Sequence, residues 1–231
     1  MTRHRLCLAA ILVATALAGA AIARPSPPPM WDNLVRVDTK KFDAAYILPG
    51  ADFRPYTRVI IDAPEVAFHK DFQRDYNNTT RDLSGRITDG EMREAMERVR
   101  TGFSEVFTEA YTAAGYQIAT APAADTLRVK TAVINIDVNA PDQMTAGRSR
   151  TFSEQAGSAV LVLEVHDSVT NEILGRVADG RVAGNVGRMW IRNRGTNRAD
   201  FRRLFKQWAE ASANGLTTLK GMSPYNGGPV R

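Results

Sequence analysis

A two-layer α/β sandwich, with a mostly antiparallel sheet and two long helices on one face, is the fold this sequence predicts. Three observations lead there. Apolar residues recur at three-and-four spacing from Glu91 to Ala114, and again from Arg198 to Leu219, which stacks side chains along one helix face. Between these stretches lie β-rich segments at Tyr116–Thr120, Leu127–Val138, Ala159–His166 and Glu172–Val177, parted by turn-forming residues. Helices that are apolar on one side need a sheet to lie on, and antiparallel strands can leave their other face to solvent.

The chain opens with basic Arg3 and Arg5, an apolar run from Leu6 to Leu17, and Ala21-Ile22-Ala23 before Arg24. These are the parts of a cleavable secretory signal, so residues 1–23 read as a signal peptide cut after Ala23 and the expected location is the periplasm. Cys7 is the only cysteine and lies inside the apolar run, so there is no lipobox, and the mature chain has no thiol for a disulfide, a nucleophile or a metal. Cleavage removes two arginines and no acid, lowering the formal charge from +5 to +3. That mild balance argues against a nucleic-acid partner.

Pro25-Ser26-Pro27-Pro28-Pro29 reads as an extended spacer over 24–30, followed by one α/β domain over 31–220 and a flexible tail over 221–231. Ala44 to Leu48 and Arg58 to Asp62 are short strands closed by Pro49-Gly50 and Ala63-Pro64, and Val66-Ala67-Phe68 is a third apolar run. Residues 69–87 are polar and read as a surface loop. Thr88 with Glu91 forms a capping box for the first long helix, and Gly115 supplies its left-handed stop. At 1.5 Å per residue that helix is on the order of 36 Å long. In Leu127–Val138 the apolar positions change parity, which places a bulge near Ala132. Asp167 to Asn171 is a hairpin turn with Asn171 suited to positive φ, and Asn197 is the candidate cap of the second helix.

Tyr46-Ile47-Leu48-Pro49-Gly50-Ala51-Asp52-Phe53, then Tyr56-Thr57-Arg58-Val59-Ile60-Ile61-Asp62 and Glu65-Val66-Ala67-Phe68, resemble the opening of a family of bacterial envelope proteins. Gly115-Tyr116-Gln117-Ile118, the stretch from Val165 to Leu174, and Phe201 to Trp208 are similar to its later segments. The family is filed only as a domain of unknown function, and many members are predicted lipoproteins. The resemblance covers roughly Trp31 to Leu219 and implies an envelope location and this fold, but no activity.

Between Arg181 and Arg203 the residues Arg188, Arg192, Arg194, Arg198, Arg202 and Arg203 crowd around Trp190, with no acid until Asp200. Guanidinium groups grip carboxylates and phosphates in pairs of hydrogen bonds, and an indole stacks on a sugar or sits in a headgroup layer. A solvated loop running into a helix is the plainer reading. Arg74 in the 69–87 segment is a second candidate contact. Asp62 and Glu65 flank Pro64 and could converge as an acid/base pair, though strand-end turn chemistry is the plainer reading. His166, Asp167 and Ser168 are the residue types of a hydrolytic triad, but neighbours on a strand point to opposite faces. With two histidines and no cysteine after cleavage, neither a metal nor a cofactor is expected.

The first reading is therefore a non-catalytic periplasmic binding or assembly module. It would meet an envelope protein or an anionic envelope component through Arg188, Trp190, Arg192, Arg194, Arg198 and Arg74. The alternative is a periplasmic hydrolase or transferase using Asp62, Glu65 or His69. The sheet face left without helices suggests a homodimer as its cover.

Overall fold

The computed structural model describes residues 26–80, 85–138, 151–153, 155–184, 190–192 and 194–230, with only the backbone described at 151–153, 190–192 and 194. The signal-peptide reading lies outside these residues. The predicted fold class is the one observed. Nine strands form one sheet: β1 (Met30–Trp31), β2 (Leu34–Val37), β3 (Ala44–Ile47), β4 (Arg58–Ile61), β5 (Glu65–Phe68), β6 (Gln117–Ile118), β7 (Thr126–Val138), β9 (Gly157–Asp167) and β10 (Ile173–Ala183). Their order across the sheet is β1-β2-β3-β10-β9-β7-β4-β6, with β5 also on β7. A separate antiparallel pair joins β8 (Thr151–Ser153) to β11 (Trp190–Arg192). The helices are α1 (Phe72–Thr79), α2 (Asp89–Ala113) and α3 (Arg194–Gly221).

The strand β7 is the spine. It pairs antiparallel with β9 and parallel with β4 over its first half and β5 over its second. β4 and β5 thus act as one strand broken at Pro64, which has no N–H for the ladder. Inward residues Leu127, Val129, Val133, Leu161 and Leu163 join Phe103, Val106, Phe107 and Tyr111 of α2 and Leu204, Phe205 and Trp208 of α3 in a single core. Both long helices therefore cover the same sheet face. Rings stack along α2 at 4.1 Å (Phe103–Phe107) and cross to α3 at 5.3 Å (Phe103–Phe205). In α2, the Thr88 hydroxyl accepts from the Glu91 N–H while the Glu91 carboxylate accepts from the Thr88 N–H. Gly115 has φ 91° and Asn171 φ 59°, both as expected.

Several expectations are corrected. Part of the 69–87 segment is α1, anchored by Phe72 beneath it and by Gln73 and Asn77, whose amides donate to the Ile87 carbonyl. The register irregularity of β7 lies between Ile134 and Asp137, where Asn135 takes φ 50°, and not at Ala132. Inward positions 127, 129, 131 and 133 keep one parity, and only Asn135 resets it. Helix α3 begins at Arg194, so Asn197 is a buried residue inside it and not its cap.

The Pro-rich spacer lies against the sheet face that has no helices. The Tyr46 hydroxyl donates to the Pro28 carbonyl at 3.0 Å, the Arg36 N–H donates to Pro29 at 2.9 Å, and Trp31 packs edge-on against Tyr46 with Arg176 4.3 Å from its ring. At the other end, Tyr225 is buried, and its backbone exchanges bonds with Gly50 and Ala51 at 2.8 and 2.9 Å. The Val230 N–H donates to Asp38.

Candidate functional site

Of the arginine-rich segment, Arg188 lies outside the described residues. Trp190 and Arg192 stand on β11, and Arg194 opens α3, each placed by backbone alone. Besides Arg202 and Arg203, Arg198 is the member whose side chain is described. It is exposed, sits in the second turn of α3, and borders a groove of about 650 Å³ between α2 and the first half of α3. Phe68, Val99, Ile136, Val138, Phe201 and Phe205 give this groove an apolar lining, and Glu97, Arg98, Glu105 and Arg202 bring charge to it.

The charges are not equivalent. Arg202 bridges Glu105 at 3.2 Å and Glu109 at 3.1 Å, Arg98 pairs with Glu94 at 3.5 Å, and Arg203 pairs with Asp200 at 2.7 Å. Arg198 makes no ion pair among the described residues. Among the described residues it is therefore the positive charge on the groove that has no acidic partner. Gly102 lies mid-way along α2 on the same groove, and a Cβ there would meet nothing within 4 Å.

Arg74 does not join this site. It sits on α1 and is neutralised locally by Asp71 at 3.0 Å and Asp75 at 3.0 Å. No hydrogen bond joins Asp62, Glu65 and His69 to one another among the described residues. Asp62 is held by Arg128, whose Nε donates to both carboxylate oxygens at 2.9 and 3.1 Å. Glu65 stands opposite Ala132 of β7, and His69 donates its backbone N–H to Ile136. Four strand positions separate those contacts, roughly 13 Å along β7.

The His166-Asp167-Ser168 run behaves as its alternation requires. His166 packs on the face without helices, its Nδ1 3.0 Å from the Asn171 carbonyl and its Nε2 3.0 Å from Glu164. Burial tends to raise the Glu164 carboxyl, but bonds from His166 and Arg176 outweigh it and hold the group below its ordinary range. Asp167 instead accepts from the Tyr56 hydroxyl at 2.8 Å and from the backbone N–H groups of Val169 and Thr170. Burial and this bond push the Tyr56 phenol well up. Ser168 is tied to the backbone of Ala123. All three close the hairpin and share no relay. Among the described residues no group of three His, Cys, Asp or Glu side chains could hold a metal ion.

One polar residue that the sequence reading passed over organises the region. Asp179, 4% exposed, accepts from the Asp43 N–H at 2.9 Å, the Trp208 indole N–H at 2.7 Å and Arg181 at 2.5 Å. It ties α3 to the sheet. Its inward parity between Val177 and Ala183 was the available signal, since an acid on the core side of a strand must be bonded there.

The family model described as "Protein of unknown function (DUF3313)" matches residues 30–212. The chain belongs to this family. The resemblance read from the sequence thus holds, and the family brings no assigned activity with it. No curated protein matches the chain. Among solved structures it is similar to a PelC dodecamer from Paraburkholderia phytofirmans, at 9% identity and TM-score 0.37, covering 72% of this chain and 96% of that one. A minor lipoprotein from Acinetobacter baumannii is similar at 8% identity and TM-score 0.35, covering 70% and 93%. A putative neuraminyllactose-binding hemagglutinin homolog from Helicobacter pylori is similar at 13% identity and TM-score 0.32, covering 74% and 92%. None of these likenesses, at such scores, bears on activity or partner.

Proposed function

We propose that this chain is a non-catalytic binding or assembly module of the bacterial envelope, exported through its first 23 residues and acting in the periplasm. Its contact surface is the groove between α2 and α3, together with the arginine-rich segment that leads into α3. The observation that carries this reading is the groove itself, in which aromatic and aliphatic side chains lie beside Arg198, a cation with no acidic partner among the described residues. An apolar floor that supplies contact area with a charge at its edge is the usual make-up of a protein-docking patch. The separation of Glu65 from His69 and the engagement of Asp62 by Arg128 support a binding role over hydrolysis. No described helix is long and apolar enough to cross a membrane. The partner is an envelope protein or an anionic envelope component that offers a carboxylate or phosphate to Arg198, and a second copy of this chain is also a candidate.

The test is photo-crosslinking in living cells, with the photoreactive residue at Trp190 in one strain and at Phe201 in another. A discrete product should form from both positions and disappear when Arg192, Arg194 and Arg198 are replaced by alanine. Normal export with no product at either position would overturn the reading.

A further inference from the structure

A second cavity lies on the helix-covered side of the sheet, away from the groove. It measures about 110 Å³ and is walled by Ala45, Ile47, Leu163 and Val177 from the sheet and by Leu216 and Leu219 from the C-terminal half of α3. It is partly open to solvent. Val230 contributes a wall and is held in place by its N–H to the Asp38 carbonyl. Lys41 and Thr39 also line the cavity, and Lys41 is exposed. The Lys41 ammonium makes no ion pair among the described residues, while its backbone carbonyl is occupied by Arg181 at 2.6 Å.

Close packing is the rule in protein interiors, and an unfilled apolar space deprives its lining of contacts. Gly215 makes this cavity unusual. It sits inside α3, where glycine is the poorest ordinary helix former. It lines the cavity, its backbone is helical, and a Cβ built there would meet nothing within 4 Å. Neither a strained backbone nor a close neighbour calls for glycine there. What glycine preserves is the open space. The volume compares with the roughly 150 Å³ of an engineered apolar cavity that stays dry and binds benzene, so several carbons of a chain fit inside and the remainder leaves through the opening.

We propose that this cavity receives the hydrocarbon end of a single-chain anionic amphiphile, whose negative head group meets the exposed Lys41. An acyl chain with one net negative head is found in free fatty acids and in acidic lysophospholipids such as lysophosphatidylglycerol alike. This site is separate from the groove and does not depend on the docking role proposed for it.

The full mature chain, labelled at its methyl groups, is titrated with decanoate and separately with a decanoyl lysophosphatidylglycerol, both below their micelle concentrations. Saturable shifts should appear at the methyls of Ile47, Leu163 and Leu216. Gly215→Leu should abolish those shifts while leaving Tm unchanged or higher, and Gly215→Ala should weaken binding with no loss of fold. Lys41→Gln should weaken decanoate binding by about two- to five-fold, the worth of one exposed ion pair. Binding of decanoate alone assigns the site to free fatty acids, and binding of the lysophospholipid assigns it to lipid. Absence of saturable shifts with both ligands, or equal binding by Gly215→Leu and the unaltered chain, overturns the proposal. An unchanged decanoate affinity in Lys41→Gln overturns the head-group assignment.

Discussion

Replacing Asp179 with alanine removes the acceptor on which three donors converge. The Trp208 indole N–H, on a side chain with no solvent exposure, would be left without a partner. An orphaned buried donor costs about 1–3 kcal/mol. Arg181 loses its carboxylate at 2.5 Å, but its side chain is 29% exposed and keeps the Lys41 carbonyl at 2.6 Å, so water can recover part of that loss. The Asp43 N–H, on an exposed residue, recovers most of its own. Breaking a fully buried ion pair costs about 3–5 kcal/mol, and the exposure of Arg181 places Asp179→Ala near the lower end, at about 3 kcal/mol. Trp208→Phe alone removes one donor and leaves the carboxylate two others, at about 1–2 kcal/mol. Because both changes delete the same bond, the double variant should fall short of the sum by about 1 kcal/mol or more. Urea unfolding followed by far-ultraviolet circular dichroism measures all three. A cost below about 1 kcal/mol for Asp179→Ala, or additivity within about 0.5 kcal/mol, would refute the role assigned to this carboxylate in holding α3 on the sheet.

Gly157→Ala should be poorly tolerated, because the added Cβ would stand 2.0 Å from the Asp137 carbonyl oxygen on a backbone with φ 153°. A cost of about 2–4 kcal/mol in urea unfolding is expected from the clash and strain. Asn171→Ala should cost about 1–2 kcal/mol for placing a Cβ-bearing residue without a polar side chain at φ 59°, plus the 2.9 Å bond from Lys130. Asn171→Gly should cost less, and equal midpoints for the two would refute the turn assignment. Asp167 gives a pH signature. Burial raises its carboxyl, but the N–H groups of Thr170 and Val169 and the Tyr56 hydroxyl outweigh burial and hold the folded value below the ordinary 3.8. A depressed folded value stabilises the fold above the unfolded one and loses that contribution as pH falls through the folded one. The gap in urea midpoint between the unaltered chain and Asp167→Asn should be full at neutral pH and narrow as pH drops below 3.8. A gap that is flat across this range would contradict it.

What the sequence disclosed follows the range of the interactions involved. Helix α2 was legible because its stripe, its capping box and Gly115 all lie within one short stretch. The hairpin at Asn171 was legible for the same reason. Helix α1 was not, since Phe72 and Tyr76 are its only apolar pair one turn apart, and what fixes it are amide bonds to Ile87, ten and more residues away. The bulge was misplaced by three residues because Ala132 and Ile134 face the side of the sheet without helices, where apolar residues blur the alternation. The parallel pairing of β4 and β5 with β7 leaves no local trace, so the engagement of Asp62 by Arg128 could be read only in the structure. Of the candidate site, the arginines and Trp190 were visible as composition. The groove beside Arg198 was not, because α2 supplies one wall and α3 the other, and the cavity at Gly215 again needs the sheet and α3 together.

The ends of the domain close on each other. β3 pairs with β10 more than 120 residues later, and the buried Tyr225 completes the turn at Gly50 and Ala51. Entropy must be lost in closing such long loops before the contacts repay it, and chains of this topology fold slowly. β1, β2 and β3 pair with one another, but the other edge of β3 has no partner until β10 has been made, and the turn beyond β3 is not sealed until Tyr225 reaches it. During synthesis the nine-stranded sheet therefore stays in two pieces until β10 has left the ribosome.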